Sequence, residues 1–242
     1  MNNTVSLKIV PFGDSALLVQ LGDRIDEAIN ERIIILTASL EQNPLQGICE
    51  MAPTYRSLLV RYDPAIIRGS RLVHLLTERA SNLDYQQTCG RSWRIPVYYG
   101  GDEALDLDAL AAEKNLDIED IISLHSGAQY RVYMIGFSPG FAYLGGLPAA
   151  LHTPRLETPR QRVAPGSIGI GGEQASINSL PGPSGWRFVG RTAVRLFDSR
   201  RPDPILLKAG DHISFFAVSR EEIIELDARA AAGETIIEPN IQ

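Results

Sequence analysis

Between residues 127 and 190 the chain carries 12 of its 21 glycines and 7 of its 15 prolines. No helix of ordinary length survives that spacing, because each interior glycine costs about 1 kcal/mol and each proline about 3 kcal/mol relative to alanine. The apolar runs of the C-terminal half are accordingly short: Arg131 to Ile135, Ser167 to Ile170, Trp186 to Val189, Ala193 to Phe197, Ile205 to Leu207 and His212 to Val218. Many strand-length runs with Gly/Pro punctuation predict a barrel or a sandwich. Glycine also lets backbone approach a ligand closely, so the loops of this half are where a site is expected.

The N-terminal part reads differently. Val5, Leu7 and Ile9, then Leu17, Val19 and Leu21, alternate with polar neighbours and predict two strands around a Gly13-Asp14 turn. Ile25, Ile29, Ile33, Leu36 and Leu40 recur at helical spacing until Asn43-Pro44 ends the run. Ile48 to Met51 and Tyr55 to Tyr62 are the next strands, and Leu72, Val73, Leu75, Leu76 and Ala80 mark a second amphipathic helix. The order β-β-α-β-β-α predicts an α+β layer, one antiparallel sheet with its helices on one face. The polar stretch Ser81 to Gly90 sets the boundary between a domain at 1–85 and another at 90–242. The second domain opens with a strand at Trp93 to Tyr99. Two short helices follow within 102–127, N-capped by Asp106 and Asp117, and Glu221 to Ala232 forms a helical tail.

A net charge of −6 lacks the clustered basic excess of a nucleic-acid binder. No window of 18 apolar residues and no signal-like N-terminus is visible, and Cys49 and Cys89 show no pairing motif. These features predict a cytoplasmic protein with reduced thiols, bound neither to nucleic acid nor to membrane. His74, His125, His152 and His212 are scattered without zinc-ligand spacing, so no metal is expected. Gly136-Phe137-Ser138-Pro139-Gly140 fits the G-x-S-x-G nucleophile elbow in letters only, since Pro139 has no N–H to give an oxyanion. None of the three lysines follows a glycine, so no phosphate-cradling P-loop is present.

Positive charge is carried by 20 Arg, the residue that grips carboxylates and phosphates with two parallel hydrogen bonds. The segment His152-Thr153-Pro154-Arg155-Leu156-Glu157-Thr158-Pro159-Arg160 repeats Thr-Pro-Arg, and its prolines would present both arginines at small entropic cost. On residues alone, anion recognition and a solvated loop paired with Glu157 weigh equally.

A series of motifs then runs through nearly the whole chain in order: Gly13-Asp14-Ser15-Ala16, Tyr55-Arg56-Ser57-Leu58, Leu124-His125-Ser126, Gly136-Phe137 with Pro139-Gly140-Phe141 and Tyr143-Leu144-Gly145, His152-Thr153-Pro154-Arg155, Gly185-Trp186 with Gly190-Arg191-Thr192, and Gly210-Asp211. With these the sequence resembles the allophanate hydrolase subunit 1 family, which includes the B component of 5-oxoprolinase (PxpB) and the kinase inhibitor KipI. The resemblance implies a ferredoxin-like α+β domain followed by a cyclophilin-like β-barrel. It implies partners as well, a subunit-2-type protein (PxpC-like) and a third subunit (PxpA-like), which together cleave 5-oxoproline to glutamate with ATP shared among the subunits. A lactam is a poor electrophile, and phosphorylating its oxygen would open the ring carbon to attack. On that reading Arg155 and Arg160 hold the substrate carboxylate or a transferring phosphate, His152 or His125 moves a proton, Gln174 orients the amide, and Tyr143, Trp186 and Arg191 complete the binding site.

The sequence departs from the family where relatives read Q-T-G-[IV]-Y-P and this chain has Gln174-Ala175-Ser176-Ile177-Asn178-Ser179. Loss of the threonine hydroxyl, the glycine and the tyrosine phenol predicts an altered substrate or abolished activity. Two other readings stay open, a KipI-type inhibitor docking on a sensor histidine kinase and a carboxyltransferase component of a urea or allophanate amidolyase.

Overall fold

The computed structural model describes residues 7–83 and 90–241. Val5 and Cys89 lie outside the described residues. The chain divides into two compact units, one before and one after position 88.

The first unit comprises β1 (Lys8–Pro11), β2 (Ala16–Gln20), α1 (Glu27–Gln42), β3 (Ile48–Pro53), β4 (Ser57–Tyr62) and α2 (Gly69–Ser81). All its strand pairings are antiparallel, in the order β1-β2-β4-β3. Leu17 and Val19 of β2 alternate onto the same face as Leu58, Val60 and Tyr62 of β4. There they meet Ile29, Ile33, Leu36 and Leu40 of α1 and Leu72, Leu76 and Ala80 of α2 in one core. Both helices therefore cover one face, as the two periodicities predict. Ile25 departs from its expected place: it precedes Asp26, whose carboxylate caps α1 at Ile29 N–H, and it is exposed.

The second unit contains β5 (Arg91–Val97), α3 (Leu107–Lys114), α4 (Ile118–Gly127), β6 (Gln129–Ile135), β7 (Ala142–Gly145), β8 (Arg160–Val163), β9 (Ser167–Gly171), β10 (Gln174–Ile177), β11 (Gly182–Ser184), β12 (Arg187–Arg191), β13 (His212–Ala217), α5 (Arg220–Ala231) and β14 (Asn240–Ile241). Eight of these strands form one mixed sheet in the order β12-β9-β10-β7-β6-β13-β5-β14, in which only β5 and β13 run parallel. The sheet curls until its first strand meets the end of β5, where Tyr98 and Arg191 exchange backbone hydrogen bonds of 2.8 and 2.9 Å. Gly190 permits that seam, because a Cβ there would stand 2.7 Å from the Tyr98 carbonyl oxygen. Inside the curl, Ile95, Val132, Leu144, Ile168, Ile170, Ala175, Ile177 and Ile213 form the main core with Leu110 of α3 and Ile121 of α4. On the opposite face of β7, β10, β9 and β12 lies a second, smaller core of Phe141, Val163, Trp186 and Phe188. Val163 comes from a two-stranded ribbon formed by β8 and β11.

Several expectations change here. Ala193 to Phe197 and Ile205 to Leu207 are not strands but irregular segments held by the Phe197–Ile205 bridge. Ala193, Val194, Leu196 and Leu207 are apolar because they are buried, not because they alternate. Strands β7, β8, β10 and β11 span three or four residues each, too few for a period of two to show in sequence. Asp106 sits at the N-cap of α3 but makes no capping bond. Its carboxylate instead accepts from Phe188 N–H at 2.7 Å and from Arg160 at 2.6 Å. Among the described residues no helix is long and apolar enough to cross a membrane.

Candidate functional site

Strand β10 decides the geometry. Residues two apart on a strand share a face, so Gln174, Ser176 and, one step past the strand end, Asn178 point together away from the main core. Ala175 and Ile177 point the other way, into it. Pairing fixes the neighbours: Ser176 lies opposite Tyr143 of β7 and Gly169 of β9, and Gln174 lies opposite Gly171. The result is a polar stripe that runs into the smaller core, with Ser176 and Asn178 buried beside Phe141, Trp186 and Phe188 and only Gln174 and Tyr143 partly exposed.

Arg155 closes one end of this stripe. Its guanidinium lies 4.7 Å from the Trp186 ring centroid, a cation–π contact that orients the group while leaving its N–H fork unspent on the ring. Gly171 makes the stack possible, since a Cβ there would stand 2.8 Å from the Trp186 ring and 3.2 Å from Arg155 Cγ. Tyr143 sits 6.1 Å from Trp186 and 4.7 Å from Phe141, centroid to centroid. Burial raises its phenol pKa, and the positive charge of Arg155 pulls it part of the way back. An exposed cation stacked on an indole, with a half-buried phenol and a half-buried amide near it, suits a small planar ligand carrying a carboxylate.

Of the residues singled out from sequence, the structure gathers Arg155, Tyr143, Trp186 and Gln174. Arg160 stands on the neighbouring β8, but its guanidinium is turned to Asp106 at 2.6 Å. His152 lies just before the Thr-Pro-Arg segment, half-buried, with Nε2 3.0 Å from the Leu147 carbonyl oxygen. Arg191 is placed apart, held by both oxygens of Asp227 at 2.8 and 2.6 Å and by Glu103 at 2.8 Å. Those carboxylates raise its pKa and spend its charge within the fold.

His125 is also elsewhere. It is fully buried in the main core, stacked on Phe215 at 4.9 Å and sharing a 2.8 Å hydrogen bond with Tyr99. Desolvation takes its pKa down to about 3, so the ring is neutral at physiological pH and out of reach of the stripe. A Leu-His-Ser triplet in sequence gives no hint of this, because burial depends on which face of α4 meets β13.

Ser138 Oγ meets Ser179 Oγ at 3.2 Å. The preceding Phe137 has φ of 64° and is spanned by a 2.7 Å bond from Ser138 N–H to the Gly136 carbonyl, a tight γ-turn of the strained, positive-φ kind. That turn holds the Phe137 ring exposed, 5.7 Å from Phe141 at the edge of the smaller core. Phe141, Ser176 and Asn178 adjoin these residues in the fold without being marked as site residues by any sequence pattern. The signal for the last two, their spacing of two from Gln174, becomes readable only once β10 is known to be a strand.

The family described as the carboxyltransferase domain, subdomain C and D, matches residues 7–207. The chain is 34% identical over 231 residues to the 5-oxoprolinase B subunit of Bacillus subtilis, covering 90% of this chain and 96% of that one. It is 38% identical over 209 residues to the 5-oxoprolinase B subunit of Haemophilus influenzae, covering 86% and 97%. Among solved structures, the urea carboxylase of Kluyveromyces lactis shares the fold with a TM-score of 0.81 at 23% identity, over 98% of this chain and 24% of that one. Matched across both units, and not merely over the curled sheet, the chain belongs to the carboxyltransferase subdomain C and D family, alongside the B subunits of 5-oxoprolinase.

Proposed function

We propose that this chain is the B-type subunit of an ATP-dependent 5-oxoprolinase complex that hydrolyses 5-oxoproline to glutamate. The observation that carries the reading is identity of 34 and 38% to two B subunits over nearly their whole length. The stripe supports it chemically. Arg155, aligned on Trp186, takes the carboxylate of the substrate, and Gln174 orients its amide. His152, with Nε2 anchored on the Leu147 carbonyl, is the nearer of the two expected histidines to the Arg155 segment and is the candidate proton carrier. The chain acts with a PxpC-like subunit and a PxpA-like subunit in the cytoplasm.

ATP belongs to the assembled complex in this reading. Within this chain Lys114 donates to the His152 carbonyl and Lys208 pairs with Asp203 at 3.0 Å. We assign the main phosphate contacts to the partner subunits and no metal to this chain. The fold reading is likewise specific. The order β1-β2-β4-β3, with helices after β2 and β4, is what a ferredoxin-like βαββαβ unit gives when its last strand is moved to the front. The curled sheet closed at Tyr98 and Arg191 supports a cyclophilin-like barrel.

A second reading, carboxyl transfer in a urea or allophanate amidolyase, is favoured by the urea carboxylase fold. Identity to the urea amidolyase of Saccharomyces cerevisiae is 24% over only 14% of that protein, and the first reading stands ahead of it. The deciding experiment measures 5-oxoproline-dependent phosphate release by the copurified subunits, with and without this chain. Turnover that requires the chain is expected. A stable complex that hydrolyses no ATP with 5-oxoproline, but does so with a urea derivative, would transfer the assignment to the second reading.

A further inference from the structure

The segment His152 to Leu156 belongs to no helix and no strand beyond a single bridge at Thr153, yet its backbone is bonded at almost every step. The His152 carbonyl accepts from Lys114 Nζ, and Thr153 exchanges bonds of 3.1 and 2.7 Å with Gly172. The Pro154 carbonyl accepts from Arg187 Nε at 3.1 Å, and Leu156 N–H donates to the Gly185 carbonyl at 2.7 Å. Pro154 has no N–H to satisfy, and its ring fixes φ. Bonding of this density restricts to one conformation a stretch of irregular chain that would otherwise sample several.

Arg155 is the centre of that pattern. The bonds on either side of it run to the two chain neighbours of Trp186, the residue on which its guanidinium is stacked. Leu156, just after Arg155, is tied to Gly185, just before Trp186; Pro154, just before Arg155, is tied to Arg187, just after Trp186. One of these brackets is backbone alone, and the other is a side chain. Arg187 is itself held, its Nη1 lying 3.0 Å from Glu113 Oε2 near the C-terminal end of α3. A planar fork that gives one N–H to a carbonyl and another to a carboxylate is a rigid strut between α3 and the Arg155 segment.

We propose that Arg187, anchored by Glu113, is a positioning residue that sets the Arg155 guanidinium on Trp186 in the orientation that receives the substrate carboxylate. This rests on the oxoprolinase reading for the identity of the carboxylate and deepens it; control of the Arg155–Trp186 contact stands on the geometry alone. Freedom already lost in the folded protein is not lost again when the ligand arrives, so an arginine fixed beforehand binds more tightly than one on a loose loop.

The test is a double-mutant cycle on 5-oxoproline turnover by the copurified subunits, with tryptophan emission of the purified full chain as a second readout. Arg187→Met keeps the apolar stem and removes both contacts. Glu113→Gln reaches the same strut from α3 at a more exposed position, and serves if the first variant folds poorly. Arg187→Met is expected to raise KM by about three- to tenfold while kcat changes less than about twofold, because the carboxylate is gripped alike in ground and transition states. Glu113→Gln should move KM in the same direction by less. In an Arg155→Ala background Arg187→Met should leave KM unchanged, since a residue that acts only through Arg155 has nothing left to act on. An equal rise in KM in both backgrounds overturns the proposal, as does a wild-type KM in both Arg187→Met and Glu113→Gln.

Emission separates that failure from failure of the function. The chain has two tryptophans, and a variant-minus-wild-type difference spectrum cancels the one that a substitution leaves untouched. Arg187→Met should reproduce the difference spectrum of Arg155→Ala, and the double variant should add nothing to it. Subunits that turn over no 5-oxoproline overturn the oxoprolinase reading, and emission then decides the positioning role by itself. A match between the two single variants upholds it, and an Arg187→Met spectrum identical to wild type overturns it.

Discussion

Arg155 and Gly171 show how single residues set up the site. A guanidinium stacked on an indole loses little rotamer freedom when it binds an anion, and a charge-assisted pair contributes more than a neutral hydrogen bond. Arg155→Ala is therefore expected to raise KM for 5-oxoproline by about tenfold or more in reconstituted turnover assays, with Arg155→Lys recovering only part, because a point charge cannot reproduce the planar fork. Unchanged KM in Arg155→Ala would remove the carboxylate assignment. Gly171→Ala acts through the same stack. Its methyl group meets the Trp186 ring at 2.8 Å, so the indole must shift, at a cost of about 1 to 3 kcal/mol in denaturant titrations and with loss of substrate affinity. At this scale the sequence was partly readable. Thr-Pro-Arg marked Arg155 and Arg160 alike, and the contact with Asp106 separates the structural Arg160 from the exposed Arg155.

At the level of elements, the ribbon of β8 and β11 and the start of α3 are joined by Asp106. One carboxylate oxygen takes the Phe188 N–H, the other takes Arg160, and the carboxylate is almost fully buried. Removing one member of such a pair leaves its partner uncompensated, so Asp106→Ala is expected to destabilise the protein by about 3 kcal/mol, read from urea unfolding. The α5 helix offers a milder comparison. Ser219 and Glu222 form a reciprocal capping box, and Ser219→Ala should cost about 1 kcal/mol in the same experiment. A loss at Asp106 no larger than at Ser219 would show that the carboxylate is only a local cap, as its place in the sequence suggests. Helices were legible because ten or more residues repeat a period. Strands of three or four residues were not, since their identity comes from partners distant in the chain.

For the whole molecule, the buried imidazole of His125 predicts how stability responds to acid. Its pKa falls from an ordinary 6.5 to about 3 in the folded protein, so between those values the unfolded chain binds the extra proton. Stability contributed by the neutral ring is complete above pH 6.5 and declines as pH falls through that window, by roughly 1.4 kcal/mol per unit. Melting temperatures measured from pH 7 to pH 4 should fall less steeply in His125→Gln than in wild type. Equal slopes would show that other groups govern acid unfolding.

Local sequence accounts for the amphipathic helices α1 and α2, the many-stranded character of the second unit and membership of the family, because these rest on local periodicity, turn residues and motifs that recur in order. It also singled out Arg155, Tyr143, Trp186 and Gln174, which the fold brings near one another. Tertiary structure alone decided which of Arg155 and Arg160 stays exposed, that His125 is core and Arg191 is neutralised by Asp227 and Glu103, and that Ser176 and Asn178 face the smaller core while Ala175 does not. The physical reason is the same each time: side-chain direction on a short strand and the partner of a charge are set by chain segments tens of residues away, and a window of local sequence contains neither.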